Sequence, residues 1–197
     1  MEVKVVLASE IGDKVRNEMG YIFTEGFYQW IKYFSKDKGK LAAAFKHMFL
    51  LNQFYVSLDE DKAIGFAGVN KMNHPTVKLI SQELRRNLGL IKGTIAYMVL
   101  RKEFENKVYP LELNDNCGAI EFVAIAKDYR GKGIGKTIIN HIFALEEFNE
   151  YVLEVADSNL PALALYSKLG FKEIKRIPTE HGDKSGVNYY IYMKYNK

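Results

Sequence analysis

Residues 130–137 read Arg130-Gly131-Lys132-Gly133-Ile134-Gly135-Lys136-Thr137. An apolar run, Ala119-Ile120-Glu121-Phe122-Val123-Ala124-Ile125, comes before them, and an amphipathic helical pattern comes after. Strand, glycine-rich turn and helix in that order present free backbone N–H groups and a positive helix end to a phosphate. The ending Gly135-Lys136-Thr137 suggests a nucleoside-triphosphate loop. That loop needs a glycine separated from Gly-Lys-Ser/Thr by four residues, and position 130 holds Arg130. The dinucleotide fingerprint Gly-x-Gly-x-x-Gly fails too, because its third glycine falls on Lys136 in one register and on Ile138 in the other. An ordinary basic strand–helix turn accounts for the charges but not for glycines at three alternate positions.

The wider composition sets bounds on the chain. A length of 197 residues suits one domain, 1–197, large enough to bury a core without staples. Apolar residues make up 48% and charged residues 26%, which matches ordinary globular proteins. The lone Cys117 cannot form an internal disulfide, so a buried or incidental thiol in a reducing compartment is expected. No long apolar stretch opens the chain, and segments 41–51 and 93–100 are too short to span a bilayer. A cytoplasmic location with no membrane partner is therefore expected. A net charge of +4 is mild, and apart from the Lys127–Lys136 neighbourhood the basic residues are dispersed. That pattern argues against a nucleic-acid surface and fits a small anionic ligand. None of the four histidines sits at metal-ligand spacing from another ligand type, so no metal is expected.

The local patterns outline a mixed architecture. A first strand is expected at 3–7, and a helical, unusually aromatic stretch over 10–52, broken near Gly26 and again at 36–39. Most of those rings are expected to pack helices onto a sheet, with a few lining an acceptor pocket. A hairpin comes next, with strands 53–58 and 63–70 around Asp59-Glu60-Asp61-Lys62. Residues 75–104 again read as helical, with Val77, Ile80, Leu84, Leu88 and Leu90 or Ile91 on one face, starting from Asn73-His74-Pro75. After a polar loop at 105–117 come the strand ending at Ile125 and a helix over 133–147 that buries Ile134, Ile138, Ile142 and Leu145. A strand at 151–155, a helix capped by Asn159 and stopped by Gly170, and strands 171–177 and 189–195 complete the chain. The last two strands flank a loop at 178–188 that contains Gly182 and Gly186.

The pattern Arg130-x-x-Gly133-x-Gly135 resembles the pyrophosphate-binding signature of the GNAT superfamily of CoA-dependent N-acetyltransferases. Downstream, Asn159-x-x-Ala162-x-x-Leu165-Tyr166-x-x-Leu169-Gly170-Phe171 resembles the second signature of that family. Together the two cover a CoA-binding core at about 119–174. The resemblance implies an α/β (α+β) fold: a single domain with a mixed, mostly antiparallel twisted sheet flanked by helices. The chain departs from the family pattern in a longer helical segment, expected as an insertion at about 74–106 before the cofactor-binding strand. The resemblance also implies an acetyl-CoA-dependent transfer to an amine within a ternary complex. The expected CoA contacts are Val123, Ala124, Ile125, Arg130, Gly131, Lys132, Gly133, Ile134, Gly135, Lys136, Asn159 and Ala162. The end of the strand at Val123 and Ile125 is expected to splay from its neighbour and to offer backbone groups to the pantetheine arm and the thioester.

By the same resemblance, Tyr166 is the general acid that protonates the departing sulfur; the competing reading is a packing tyrosine. Candidate bases are Glu121, placed by strict alternation on the same side as Val123 and Ile125, and Glu154 on the next strand. A water chain, or a purely structural role for both carboxylates, stays open. The acceptor is a small amine, an amino acid or antibiotic, or a peptide or protein amine, and the protein is a monomer or homodimer. A non-catalytic acyl-CoA-binding sensor on the same fold is the rival from another class, and Tyr166 argues against it.

Overall fold

A computed structural model gives the fold and describes residues 3–71, 74–111, 114–179 and 186–197. Asn73, His181 and Gly182 lie outside the described residues. Among the described residues a seven-stranded sheet runs in the order β1-β2-β3-β4-β5-β7-β6. The strands are β1 (Val3–Leu7), β2 (Phe54–Asp59), β3 (Lys62–Lys71), β4 (Cys117–Ile125), β5 (Glu150–Ala156), β6 (Lys172–Pro178) and β7 (Tyr189–Asn196). Neighbours pair antiparallel except β4 and β5, which run parallel. The expected hairpin is β2–β3, turned at Glu60 with a positive φ of 54°.

Helices cover both faces. One face carries α2 (Arg16–Ile31), α3 (Lys38–Phe45), α4 (Ser81–Leu88) and α5 (Leu90–Leu100), and a four-residue α1 (Ala8–Ile11) precedes them. They close over an aromatic core in which Phe23, Phe45, Phe49, Phe54 and Phe66 are fully buried. Much of the aromatic run of the sequence therefore serves packing: Phe23 lies within 6.2 Å of five other rings, including Phe27 at 4.8 Å and Phe104 at 6.2 Å, whereas Tyr21 and Tyr33 stay exposed. The other face carries α6 (Ile134–Ala144) and α7 (Leu160–Lys168). Ile134, Ile138 and Ile142 recur every four residues on α6 and are buried with Ile139, as helical spacing requires.

The helices depart from the sequence pattern at Gly26, over 75–104 and at the end of α6. First, α2 runs through Gly26 without a break and ends only at Ile31. The glycine that packing requires is Gly20, where a Cβ would sit 2.8 Å from the Ala42 carbonyl oxygen of α3. Second, residues 75–104 do not form one helix. Met48 and Leu50 take the start of this stretch into strand-like contacts: Lys78 N–H donates to the Met48 carbonyl at 2.8 Å, and Leu50 N–H to that of Thr76 at 3.0 Å. Gly89, at φ 84°, then separates α4 from α5. This turn leaves Leu90 and Ile91 76% and 78% exposed, while Leu84, Ala96 and Leu100 supply the buried face. Third, α6 stops at Ala144, which leaves Leu145 42% exposed.

Candidate active site

The site begins where two strands part. Parallel pairing of β4 with β5 runs from Cys117 opposite Glu150 to Ile120 opposite Leu153 and stops there. The next residues, Glu121 and Glu154, open a gap between the strands. On its other side β4 pairs with β3, with Gly68 opposite Glu121 and Phe66 opposite Ala124, so Phe122 and Val123 together oppose Ala67. That is a β-bulge, and Phe122 adopts φ 52° to make it. A positive φ on a residue other than glycine costs ~1–2 kcal/mol, and the neighbouring packing of Phe122 against Phe104 and Phe27 offsets it.

The bulge corrects the expectation from strict alternation. Glu121 and Phe122 fall on the same face, toward α2, whereas Val123 and Ile125 turn toward α6 and α7. Glu121 is therefore on the opposite side of the sheet from Val123 and Ile125.

A cleft of about 830 Å³ opens at the parted end of β4. Its walls include Val123, Ala124 and Ile125 from the strand, Arg130 to Lys136 with the exception of Lys132, and Asn159, Ala162, Leu165 and Tyr166 from the start and body of α7. Glu25, Gly26, Tyr28 and Gln29 of α2 close the remaining side. The sequence carried no motif for these four; the placement of α2 over Ala124 brings them there.

The glycines do different work. Gly131 and Gly133 hold φ of 75° and 82°, and an added Cβ at either would point into open space, so their role is conformational. Gly135 faces α7, where a Cβ would meet Leu165 Cδ2 at 3.0 Å, so it sets how closely the two helices approach. Gly133 is the N-cap of α6 and contributes no side chain, so no N-cap side chain accepts from the first-turn amides of α6. The Thr137 hydroxyl turns back to the Gly133 carbonyl at 3.3 Å. Arg130 spans the base of the loop, with its Nε donating to the Ile125 carbonyl at 3.1 Å. Lys132 lies outside the cleft lining, 5.1 Å above the Tyr129 ring, and the Tyr129 hydroxyl in turn donates to Asp59 at 2.8 Å.

The second motif positions Tyr166. Asn159 Oδ1 caps α7 by accepting from Ala162 N–H at 3.3 Å, which leaves the side-chain NH₂ free of the capping bond. At the other end Gly170 (φ 94°) closes a Schellman motif: Phe171 N–H donates to the Tyr166 carbonyl at 3.0 Å and Gly170 N–H to that of Ser167 at 3.1 Å. The Phe171 ring then packs edge-on against Tyr166 at 5.9 Å. Tyr166 is 6% exposed, and burial alone pushes its phenol well above the ordinary value.

The two carboxylates differ in engagement. Glu121, 8% exposed, accepts from Thr76 at 2.7 Å, Tyr109 at 2.6 Å and Asn70 at 3.4 Å. Glu154 sits directly across from Tyr192, whose hydroxyl donates to it, and pairs with Lys107 at 3.2 Å. Neither carboxylate lines the cleft; both face the α2 side of the sheet. Tyr109 and Tyr192 lie ring to ring at 6.5 Å and so join the two acids across the gap. Burial, and then the Glu121 charge, hold the Tyr109 phenol well above its usual range; burial and the hydrogen bond to Glu154 do the same for Tyr192.

Comparison with known proteins agrees with this geometry. A 70-residue segment is 37% identical to an N-alpha-acetyltransferase of Saccharolobus solfataricus, spanning 34% of this chain and 42% of that protein. An uncharacterised N-acetyltransferase of Methanocaldococcus jannaschii is 35% identical over 83 residues, 40% of this chain and 53% of its own length. The chain thus spans about half the length of the curated relatives it matches. The fold is similar to that of an N-acetyltransferase from Staphylococcus aureus Mu50, with a TM-score of 0.63 at 16% identity over 98% of this chain and 100% of that one. A ribosomal-protein-alanine N-acetyltransferase of Brucella melitensis gives 0.62 at 13% identity over 100% of both chains. The model of the acetyltransferase (GNAT) family matches residues 21–171, which include the parted strand, the glycine loop and the Tyr166 helix, and the chain belongs to that family.

Proposed function

We propose that this protein transfers an acetyl group from acetyl-CoA to a primary amine by direct attack. The observation that carries the proposal is the convergence on one cleft of the Gly131–Gly133 turn, the open end of α6 and the buried phenol of Tyr166. The cleft volume falls in the range of small-molecule sites, and the turn leaves room for a pyrophosphate against backbone amides. Arg130 and Lys136 add positive charge, and in this reading the NH₂ group of Asn159 and the backbone at Val123 and Ile125 hold the pantetheine arm. Bound as a substrate, acetyl-CoA supplies the thioester carbon as electrophile.

In this reading the amine approaches through the gap between β4 and β5, from the face of the sheet that carries Glu121 and Glu154. An alkylammonium, with an unperturbed pKa of ~10.4, must first lose a proton. Glu154 is the base in this reading, because Glu121 is buried and already engaged by three fixed neutral donors. As the carbon–nitrogen bond forms and the carbon–sulfur bond breaks, Tyr166 gives its proton to sulfur. The second nitrogen proton, lost as the amide forms, restores the phenol, and Glu154 passes the first to solvent. The burial that makes Tyr166 a weak acid also makes a thiolate beside it a stronger base, so the transfer is not uphill by the full shift.

Release of CoA thiol should be followed with a panel of alkylamines, amino acid amides and short peptides with free N-termini, alongside acetyl-CoA binding by calorimetry. Turnover with one class of amine supports the proposal and names the acceptor. Tight acetyl-CoA binding with no turnover across the panel would replace it with a non-catalytic acyl-CoA sensor.

A further inference from the structure

We propose that Glu154, Tyr109 and Tyr192 form the ammonium subsite of the acceptor site, and that Lys107 occupies it as an internal amine which the acceptor displaces. The inference rests on the acetyltransferase reading and adds to it how the acceptor is recognised. The Lys107 ammonium lies 3.2 Å from a Glu154 carboxylate oxygen and 4.9 Å above the Tyr109 ring. A carboxylate for charge and an electron-rich ring face are the two features that hold an alkylammonium out of bulk water. Tyr192 orients the carboxylate by donating to it, and Tyr109 is itself fixed by its hydrogen bond to Glu121. The subsite is therefore rigid on the protein side while its occupant is a flexible lysine stem.

The occupant arrives on a strap. Residues 106–111 have no helix or strand, and Val108 in their middle is 87% exposed. The strap is pinned on one side of Lys107 by Tyr109 and further on by Lys175, whose ammonium donates to the Pro110 carbonyl at 2.8 Å. Lys107 can leave Glu154 by rotation of its own stem, without moving these anchors. The charge balance of the subsite is then kept only if another cation takes its place. That condition selects a positively charged primary amine over a neutral nucleophile, and frees Glu154 to take the proton of the amine it has bound.

The test compares wild type with Lys107→Met, which keeps the stem and removes the charge, and Lys107→Arg, which keeps a cation. Initial rates are measured against the best amine of the panel, with acetyl-CoA affinity and melting temperature recorded for each variant. Lys107→Met is expected to lower the acceptor KM about tenfold with acetyl-CoA affinity unchanged, and Lys107→Arg to keep KM high. A KM that is unchanged or raised in a folded, acetyl-CoA-binding Lys107→Met overturns displacement and makes the ion pair structural. A wild-type measurement stands beside it: with lysines ¹³C-methylated beforehand, the Lys107 resonance, assigned by its loss in Lys107→Arg, must shift on addition of the amine. An unmoved resonance at saturating amine also overturns the proposal. Absence of turnover in every variant despite acetyl-CoA binding defeats the acetyltransferase reading instead, and is distinguished by that binding.

Discussion

At the scale of single residues, Tyr166 and Cys117 show how burial sets chemistry. Burial raises both, but only Tyr166 lines the cleft. Replacing Tyr166 by Phe removes the proton donor and keeps the ring that packs on Phe171. Turnover should fall by about 10²–10⁴-fold, the usual contribution of a positioned acid, while calorimetry finds acetyl-CoA affinity close to wild type. Cys117 is 1% exposed at the start of β4, and burial together with the nearby Glu150 charge pushes its thiol up to about 11. Since the thiolate is the reactive form, a disulfide reagent at pH 8 should leave native protein unlabelled and modify it only at the rate of unfolding. Tyr166 could be named from its motif, whereas the engagement of Glu121 by Thr76, Tyr109 and Asn70 could not. Those partners are 45, 12 and 51 residues away in the chain, and no local pattern encodes such a meeting.

At the scale of elements, the ends of helices carry the site. The sequence Leu169-Gly170-Phe171 reads as a helix stop, and the Schellman closure it makes is also what holds Tyr166 in place. Gly170→Ala puts a side chain at φ 94° and 3.3 Å from the Tyr195 ring. Denaturant unfolding should show a loss of about 1–2 kcal/mol, and kcat should fall more than acetyl-CoA affinity, because the helix end moves while the glycine loop does not. At the opposite end of the cleft, Gly133→Val strains the N-cap of α6, and the expected change is the reverse: weaker acetyl-CoA binding by calorimetry with the Tyr166 helix intact. The periodicity of α6 and the capping of α7 were legible because both are local. The long helix expected over 75–104 was not, because backbone hydrogen bonds to Met48 and from Leu50 draw its first residues into an extended path, and Gly89 then divides the remainder into two helices.

At the scale of the whole molecule, the helical layer of α2–α5 is held together partly through His47. Its Nε2 accepts from Ile80 N–H at 2.9 Å, which fastens the residues after α3 to the start of α4. Burial lowers the His47 pKa below its ordinary value of 6.5. As pH falls below that value the unfolded chain binds the proton before the folded one does, so this contribution is present above about pH 6.5 and is lost on acidification. Stability measured from pH 7.5 to 5.5 should therefore fall, with a shallower slope in His47→Gln, which keeps an acceptor for Ile80 but does not titrate. An equal slope in both proteins would remove His47 as the source.

Local sequence was enough to specify the strand–glycine turn–helix at 119–144, the capped helix carrying Tyr166, the β2–β3 hairpin and a mixed sheet with helices on it. Each of these rests on short-range physics: side-chain periodicity, a backbone conformation open only to glycine, or a capping side chain within three residues. Three features needed the folded chain: the face that Glu121 occupies, the wall of the cleft that α2 supplies, and the meeting of Lys107 with Glu154 beside Tyr109 and Tyr192. The first turns on a one-residue bulge at Phe122, which reverses the alternation that the sequence would otherwise impose. The others depend on segments brought together from 47 to about 100 positions apart, where chain topology and not local preference sets the neighbour.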